Sequence, residues 1–404
     1  MSSPVLSLDA LSKAVAGGAA AFRLTLRLEA VSPKVFPPTY EGGKYAKEER
    51  IIGGQKLPCV LLDSVPSQAN RMELALQEAV DGGLVQLPVV AVDFSKVNNP
   101  GVPKITSLQV PHRLVDAILR DSLTPAPERK KFRESAIGKE LELLAPAYAT
   151  PLLKHGPHCL VFGIWDSTGP KGGLGVKFAR AIVSEIVGVN AVAGVKTSSR
   201  IDPLNIRVQS GKLFVSKEGG WTLDESLAVK DKGKSRVLGK EGKPSEANHG
   251  NVTPSIADGG FTIDYAEQST VLSLPALRRL RFPARPGEKT TAESDTAART
   301  YLAALSLLGA TLAVESGYDL RSRCVLHAKS AVEWHLLGRP GEADIPYTLD
   351  KNAAVKLYKD ALAAVQKAKL PVELEEITLT PSDDLVALVK KSMEIAATES
   401  TEAD

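Results

Sequence analysis

FRLTLRLE, at residues 22–29, alternates apolar side chains strictly with Arg, Thr, Arg and Glu. Because successive side chains of a strand point to opposite faces, this alternation predicts a β-strand with one buried face and one largely basic face. Residues 59–62 and 87–94 are apolar runs that predict two further strands. We therefore expect a sheet that covers a hydrophobic core.

Segments with helical spacing lie between these strands. Helices are predicted near 67–80, 111–121, 129–144, 176–187, 291–315, 351–369 and 383–397. Strands are also predicted at 159–165, 206–209, 212–215 and 324–337, and the core resumes at 261–274. The apolar run at 159–165 is typical of a fully buried central strand. Strands separated by helices, without a solenoid repeat, indicate an α+β fold.

Two polar segments interrupt this pattern. Residues 31–58 are rich in Pro, Gly and Lys, and 209–250 contain a lysine- and glycine-rich stretch with few large apolar residues after Trp221. We expect one domain over 1–370, with arms inserted at about 31–58 and 209–250. Residues 371–404, with nine acidic and two basic side chains, are expected to form an acidic helix and tail.

The overall charge says little about a partner. Lys and Arg number 50 against 47 Asp and Glu, so the net charge is +3. The three cysteines, Cys59, Cys159 and Cys324, are scattered and show no CxxC spacing, which favours a reducing cytoplasm. No targeting segment and no 18-residue apolar run is evident, so we expect neither secretion nor a membrane-bound protein.

A glycine-rich segment, Gly169-Pro-Lys-Gly-Gly-Leu-Gly-Val-Lys-Phe178, follows the apolar run at 159–165. Glycine-rich loops between a strand and a helix cradle phosphates. The segment is not a Walker A motif, because no Ser or Thr follows Lys177 to hold magnesium. A backbone nest for a phosphate of a long strand and a plain tight turn both remain open.

The histidines do not predict a metal site or a cofactor. Only His155 and His158 are close in sequence, and the intervening Gly and Pro exclude a helical ligand pair. His249, in a polar loop, is the one candidate for acid–base chemistry, and a structural or RNA-contacting role is the alternative. No Ser-His-Asp or Cys-His set is evident, so we expect no enzyme activity.

Basic residues mixed with hydroxyl and amide groups recur at five places: 34–50, 67–71, 196–200, 230–243 and 278–285. Lys and Arg supply charge for phosphates, while Ser, Thr, Asn and Gln hydrogen-bond the ribose 2′-OH. The cluster at 67–71 opens a predicted helix, where unpaired N–H groups also favour an anion. Each cluster alone is equally consistent with a solvated surface, but together they favour a nucleic-acid partner.

Several strings resemble one family. They are Val35-Phe-Pro-Pro-Thr-Tyr-Glu-Gly-Gly-Lys-Tyr45, Leu61-Leu-Asp-Ser64, Ser67-Gln-Ala-Asn-Arg-Met-Glu73, Ser199-Arg-Ile-Asp-Pro-Leu204, Asp264-Tyr-Ala-Glu-Gln-Ser-Thr-Val-Leu-Ser-Leu-Pro-Ala-Leu-Arg-Arg-Leu-Arg-Phe282 and Tyr318-Asp-Leu-Arg-Ser-Arg-Cys324. Over roughly residues 8 to 340 the chain resembles the RAMP-superfamily backbone subunit of type I-G (formerly I-U) CRISPR surveillance complexes. The acidic C-terminal region resembles it least.

The resemblance implies a ferredoxin-like, RRM-type palm sheet with finger- and thumb-like insertions, the RAMP fold. It implies copies that stack into a filament along the CRISPR RNA and display the guide for pairing with a target DNA strand. The other partners implied are a large subunit and a subunit that caps or processes the guide end. No strand carries the aromatic RNP pattern, so recognition of the RNA backbone without sequence preference is expected.

The candidate RNA-contacting residues follow from the clusters and the resemblance together. They are Lys34, Lys44, Tyr45, Arg50, Gln68, Asn70, Arg71, Lys196, Ser198, Ser199, Arg200, Arg278 and Arg279. Tyr40 and Tyr45 are candidates for stacking on a splayed base. Lys230, Lys232, Lys234 and Arg236 are candidates for the thumb or for contact with the target strand.

Three alternatives remain open at this point. A RAMP endoribonuclease would cleave repeat RNA through His249. A nucleotide enzyme built on 169–177 would bind nucleotide without RNA. A scaffold would oligomerise without any nucleic acid.

Overall fold

The computed structural model of the chain describes residues 3–97, 103–167, 169 and 177–403, with side chains as far as 395. Most of the glycine-rich segment at 169–178 lies outside the described residues, so the predicted phosphate nest is not described. The chain divides into two compact units, one of residues 1–192 and 261–382 and one of 193–260 and 383–404. The segment at 31–58 belongs to the first unit and the segment at 209–250 to the second.

Strands are numbered in chain order. Those before residue 190 are β1 Ala21–Ala30, β2 Thr39–Tyr40, β3 Lys44–Tyr45, β4 Lys47–Ile52, β5 Gln55–Asp63, β6 Val90–Asp93, β7 Lys104–Thr106, β8 Ser122–Leu123, β9 Ile164–Trp165, β10 Lys177–Phe178 and β11 Ile182–Val189. Those that follow are β12 Val192–Arg200, β13 Phe214–Val215, β14 Trp221–Thr222, β15 Lys230–Asp231, β16 Lys234–Ser235, β17 Val252–Thr262, β18 Tyr265–Ser273, β19 Tyr318–Arg321, β20 Cys324–Ala328, β21 Glu333–Leu337, β22 Ile345–Thr348 and β23 Ile377–Pro381.

The α-helices of the described chain are numbered in the same way. They are α1 Leu8–Ala16, α2 Val65–Asp81, α3 Ala117–Arg120, α4 Ala136–Glu142, α5 Thr150–His155, α6 His158–Phe162, α7 Leu274–Arg278, α8 Ala292–Glu315, α9 Lys351–Lys367 and α10 Asp383–Ala403. The fold is mixed α+β, as the sequence predicted.

A curled antiparallel sheet of nine strands forms the centre of the first unit. Its order is β19-β20-β1-β18-β11-β5-β4, and β21 and β22 extend it from β1. β20 pairs with residues 28–30 of β1 and β21 with residues 21–24, so two strands share one edge of β1. On the other edge β18 pairs with residues 21–28 of β1.

The apolar face of β1 is buried in the core, as the alternation of its residues predicted. Phe22, Leu24 and Leu26 are fully buried, and the Arg and Thr residues between them are exposed. Helices cover the sheet: α7 contacts β1, α2 contacts β11, and α8 contacts β18 and packs on α1, α2 and α9. By length and composition α8 is apolar enough to cross a membrane, but 83% of the relevant window is buried inside the protein, as in a core helix.

The central four strands are connected in a defined order. The chain passes from β1 through α2 to β11, turns back into β18, and passes through α8 to β20. In the sheet the order of these strands is β20-β1-β18-β11, and every neighbouring pair is antiparallel. The strand that ends the first β-α-β passage is therefore separated from β1 by β18, which is the split β-α-β arrangement.

A second sheet holds part of the predicted acidic tail in the first unit. Its order is β7-β6-β23-β8, and β23 runs parallel to β6. Leu379 of β23 is fully buried. Residues 377–381 therefore belong to an ordered sheet, and the acidic helix α10 begins only at Asp383.

Four predicted elements were wrong. Residues 158–162 form the helix α6, where a strand was predicted. The prediction failed because a short apolar run that is buried on all sides has no polar face, so its period does not distinguish a strand from a helix. In the predicted helix at 176–187 the described residues form β10 and β11, in which β-branched residues favour strand. Residues 208–210 form a 3-10 turn, where a strand was predicted at 206–209. The predicted long strand at 324–337 is divided into β20 and β21.

The second unit contains more ordered structure than its composition indicated. It is built on a ribbon of β12 and β17 and on the small hairpins β13–β14 and β15–β16. Leu213, Val215, Leu238 and Ala247 form a small hydrophobic core, on which Val229 packs. A few apolar residues, widely spaced in the sequence, are therefore enough to order the lysine-rich segment.

Candidate nucleic-acid interface

The cluster at 67–71 opens α2, as predicted, but two of its side chains point into the protein. The Ser64 hydroxyl accepts a hydrogen bond from the Ser67 N–H and caps the helix. Directly before it, the carboxylate of Asp63 is fully buried. It accepts hydrogen bonds from Gln68 Nε2 at 2.6 Å and from Arg71 Nε at 2.9 Å. Asp63 therefore holds the polar side of the helix start against the sheet.

A buried polar network continues from Gln68 across the sheet. Gln68 Oε1 accepts hydrogen bonds from Ser184 Oγ and Gln268 Nε2, both at 2.9 Å. The Tyr318 hydroxyl donates to Gln268 Oε1 at 2.7 Å, and burial raises the pKa of this tyrosine well above its usual range. Because Gln68 is buried and its amide is committed to these contacts, it is not placed to contact RNA in this structure.

The remaining residues of this cluster differ in exposure. Asn70 is exposed on α2. Arg71 is about one-third exposed and also donates to the carbonyl of Leu320 at 2.7 Å. A second arginine, Arg321, donates to Asp63 at 3.1 Å and to the Leu62 carbonyl at 2.6 Å. Arg71 therefore first balances a buried carboxylate, and Asn70 is the exposed polar residue of this cluster.

Three of the candidates at 31–58 are the exposed Lys44 and two residues that already make contacts within the protein, Tyr45 and Arg50. Lys44 is exposed on β3, in a hairpin with Tyr40 opposite. Tyr45 packs edge-on against Phe261, with ring centroids 5.1 Å apart. Arg50 lies 2.7 Å from Glu185 and 2.5 Å from Glu48, and the hydrogen bond to Glu185 is the main cause that raises its pKa. Lys44 is the exposed cation of this set.

Lys34 and the arginine pair after α7 complete the candidates of the first unit. Lys34 is half-buried and makes contacts within the protein. Arg278 donates to the carbonyls of Gly17 at 2.9 Å and Ala19 at 2.7 Å, and burial lowers its pKa. Arg279, the next residue, is exposed. Arg278 therefore holds the chain after α1, and Arg279 is available to a partner.

In the second unit β12 carries a row of exposed polar side chains. Lys196, Ser198 and Ser199 are exposed, and the Ser198 hydroxyl lies 2.8 Å from that of Ser255. Arg200 ends the row and donates to the carbonyls of His249 at 3.0 Å and Gly250 at 3.1 Å. Lys196 and Ser199 are open to a partner, whereas Arg200 holds the 248–250 loop.

The 230–236 segment forms an exposed basic hairpin. Lys230 and Lys234 lie on β15 and β16, and Lys232 occupies the turn with a φ of 50°. All three lysines are exposed, and Arg236 is exposed but makes contacts within the protein. The hairpin gathers positive charge at one tip, as a surface that contacts a nucleic-acid backbone requires.

The candidate acid–base residue and the cysteines show no catalytic arrangement among the described residues. The ring of His249 packs edge-on against Trp221, with centroids 5.8 Å apart. Cys159 is buried beside His158, with 3.7 Å between Sγ and Nε2, and burial raises the pKa of its thiol to about 12. In the described part of the chain, no three His, Cys, Asp or Glu side chains are grouped to hold a metal ion.

Comparison with known proteins adds one decisive observation. Residues 24–193 match a family described as CRISPR-associated protein GSU0053. This stretch is similar to a CRISPR-associated protein. None of the curated proteins matches the chain. The crystal structure of Csc2 from Thermofilum pendens shares 11% sequence identity with this chain, and the match covers 90% of this chain and 80% of that one. Its TM-score of 0.27 is too low to carry an argument.

Within residues 24–193 lies a group of residues that the sequence did not predict. Arg113 and Glu73 form a buried two-pronged ion pair, with Nε to Oε1 at 2.6 Å and Nη2 to Oε2 at 2.8 Å. Beside it, Trp165 and Arg180 line an open cleft. Because 159–165 was interpreted as one buried strand, the exposure of Trp165 was not predicted. Gly163 was the signal in this run that the chain changes direction before Trp165.

Proposed function

We propose that the chain is the backbone subunit of a type I-G CRISPR effector, acting in the cytoplasm. Copies line up along CRISPR RNA, hold its phosphate-sugar backbone without sequence preference and display the guide for pairing with a target DNA strand. A large subunit and a guide-end subunit complete the assembly. The similarity of residues 24–193 to a CRISPR-associated family carries this proposal.

The strand order supports a RAMP palm. Two β-α-β passages that interlock as β20-β1-β18-β11 give the order of a ferredoxin-like sheet. The hairpin of β2 and β3 and the unit at 193–260 extend from the chain between consecutive elements of that sheet. In the proposed fold these two segments are the finger- and thumb-like insertions of the palm.

The character of the exposed side chains supports contact with the RNA backbone. The exposed candidates include Lys44, Asn70, Lys196, Ser198, Ser199, Arg279, Lys230, Lys232, Lys234 and Arg236. They are cations, hydroxyls and an amide, which bind phosphates and ribose and carry little sequence information. Gln68 and Arg278 leave the candidate set because their side chains are committed inside the protein.

The first test is co-expression of the chain with a CRISPR array. We expect the purified protein to carry RNA, seen as a raised absorbance at nucleic-acid wavelengths, and to form particles of fixed length in electron micrographs. Purification without RNA would contradict the proposal and favour a scaffold. Cleavage of repeat RNA that disappears in His249→Ala would favour the endoribonuclease, whereas we propose a non-catalytic subunit.

The second test measures the salt dependence of RNA binding. Lys44→Ala and Lys196→Ala should each weaken binding equally for unrelated sequences and flatten the slope of log K against log salt by roughly 0.7. Lys13→Ala is the matched control, because Lys13 is exposed on α1 and pairs with Asp9 outside the candidate set. Slopes that stay at the wild-type value in both variants would remove these lysines from the interface.

A further inference from the structure

The cleft beside the hairpin of β9 and β10 combines an exposed aromatic ring with cationic side chains. Its volume is about 600 Å³, within the roughly 300–1,000 Å³ range of small-ligand sites. Trp165 stands at its wall with 46% of its surface exposed. Lys177 pairs with Trp165 across the hairpin, and its ammonium lies 5.3 Å from the centre of the indole ring.

The charge of the cleft is positive. None of the described residues that line it carries a carboxylate. Arg113 lines it too, but Glu73 neutralises this guanidinium from behind. Arg180 is half-buried, and its Nε is buried without a hydrogen-bond partner among the described residues. Among the described residues neither Lys177 nor Arg180 forms an ion pair, although Glu73 also attracts Arg180.

An unpaired buried N–H of a guanidinium is unusual, because an arginine in a protein interior normally finds an acceptor. Burial lowers the pKa of Arg180, and the neighbouring Arg113 adds to this effect. An anion in the cleft would offset the lowering of the Arg180 pKa, and a phosphate offers oxygens to the accessible part of the planar guanidinium.

We propose that this cleft binds one nucleotide of a single-stranded RNA. The base stacks on the indole of Trp165, and the adjoining phosphate is held by Arg180 and Lys177. The inference rests on the proposed function, which supplies the RNA, and it adds a site that none of the basic clusters contains. Recognition by stacking tolerates any base, since every base has a π-face.

Stacking and phosphate binding are compatible with the position of Lys177. Base stacking on an aromatic ring is worth more than an exposed cation–π contact, so a base displaces the ammonium from the ring. The ammonium of Lys177 lies at the end of a long, flexible side chain. After a base has displaced it from the ring, it can still contact the adjoining phosphate. Glycine at position 163 lets the two backbone segments of the hairpin approach closely, because a Cβ there would lie 3.0 Å from the Phe178 carbonyl oxygen.

The test uses the purified full chain and a fluorescent 12-nucleotide single-stranded RNA of mixed sequence. Trp165→Ala should weaken binding about ten-fold, the lower-middle of the range that loss of one stacked base produces. Trp165→Phe should retain most of the affinity. Arg180→Gln should weaken binding and reduce the salt slope by roughly 0.7. Trp221→Ala is the matched control and should bind as the wild type does, because Trp221 is 40% exposed and is not among the candidate RNA-contacting residues.

The outcomes separate the inference from the proposed function. If wild-type protein binds the RNA and Trp165→Ala binds it equally well, the inference is overturned and the proposed function stands. If the wild-type protein binds no RNA, the proposed function fails. Adenosine monophosphate is the second arm: competition at micromolar concentration would overturn a strand site in favour of a free-nucleotide site, whereas weak competition supports the strand. Equal melting temperatures of Trp165→Phe and Trp165→Ala exclude misfolding as the cause.

Discussion

Arg113→Met should lower the free energy of unfolding by about 3–5 kcal/mol, as expected when one partner of a buried ion pair is removed. The variant leaves the Glu73 carboxylate buried without its partner, and the Gly163 carbonyl loses a donor at 2.9 Å. Burial already raises the pKa of Glu73, and Arg113 opposes that shift. Urea unfolding followed by linear extrapolation measures the loss.

Two further variants test the physical reason. Lys356→Met removes an exposed ion pair with Asp360 and should cost less than about 1 kcal/mol. Glu73→Gln combined with Arg113→Met should recover part of the stability, because no uncompensated charge is left in the interior. A loss in Arg113→Met no larger than that in Lys356→Met would show that the pair does not stabilise this fold.

Acidification from pH 6.5 to pH 5 should lower stability by about 3 kcal/mol through two buried histidines. Burial lowers the pKa of His155 to about 4 and that of His158 to about 3. The unfolded chain therefore binds more protons than the folded one below pH 6.5, so stability is present above that pH and is lost as the pH falls. Each histidine contributes about 0.7 kcal/mol per pH unit at pH 6.5, where the unfolded imidazole is half protonated, and approaches about 1.4 kcal/mol per pH unit near pH 5.

The neighbours of these histidines do not reverse the sign. The carboxylate of Glu140 lies 3.8 Å from His155 Nε2, but it is half-exposed, and both ring nitrogens of His155 are buried without hydrogen bonds. His158→Leu should remove about half of the slope between pH 6.5 and 5, measured by urea unfolding at several pH values. A His158→Leu slope equal to the wild-type slope would contradict the assignment.

The elements that the sequence predicted best have an unmistakable period. β1 alternates strictly, α2 begins at a capping serine, and α8 is a long helix rich in Ala and Leu. In each, the local pattern and the tertiary environment agree. The apolar run at 159–165 lacked that agreement, because its burial on all sides removes the polar face from which a period is recognised.

The direction of single side chains could not be predicted in the same way. Gln68, Asn70 and Arg71 are neighbours in a polar cluster, yet Asn70 faces solvent while Gln68 is buried. The difference depends on Ser184 and Gln268, which are distant in sequence and reach Gln68 only once the sheet has formed. The exposure of Lys44 and Lys196 was easier to predict, because a lysine in a hairpin or a two-stranded ribbon can remain in solvent without a partner in the protein.

The way in which β1 is paired also bears on how the protein is made. Residue 21, near the start of the chain, pairs with residue 337, and residue 28 pairs with residue 328. During synthesis from the N-terminus, one edge of β1 therefore remains open until most of the chain has left the ribosome. Such distant pairing slows folding, and the open edge can meet a neighbouring nascent chain. Successful production of this protein would accordingly depend on protection of its first strand until its last partners arrive.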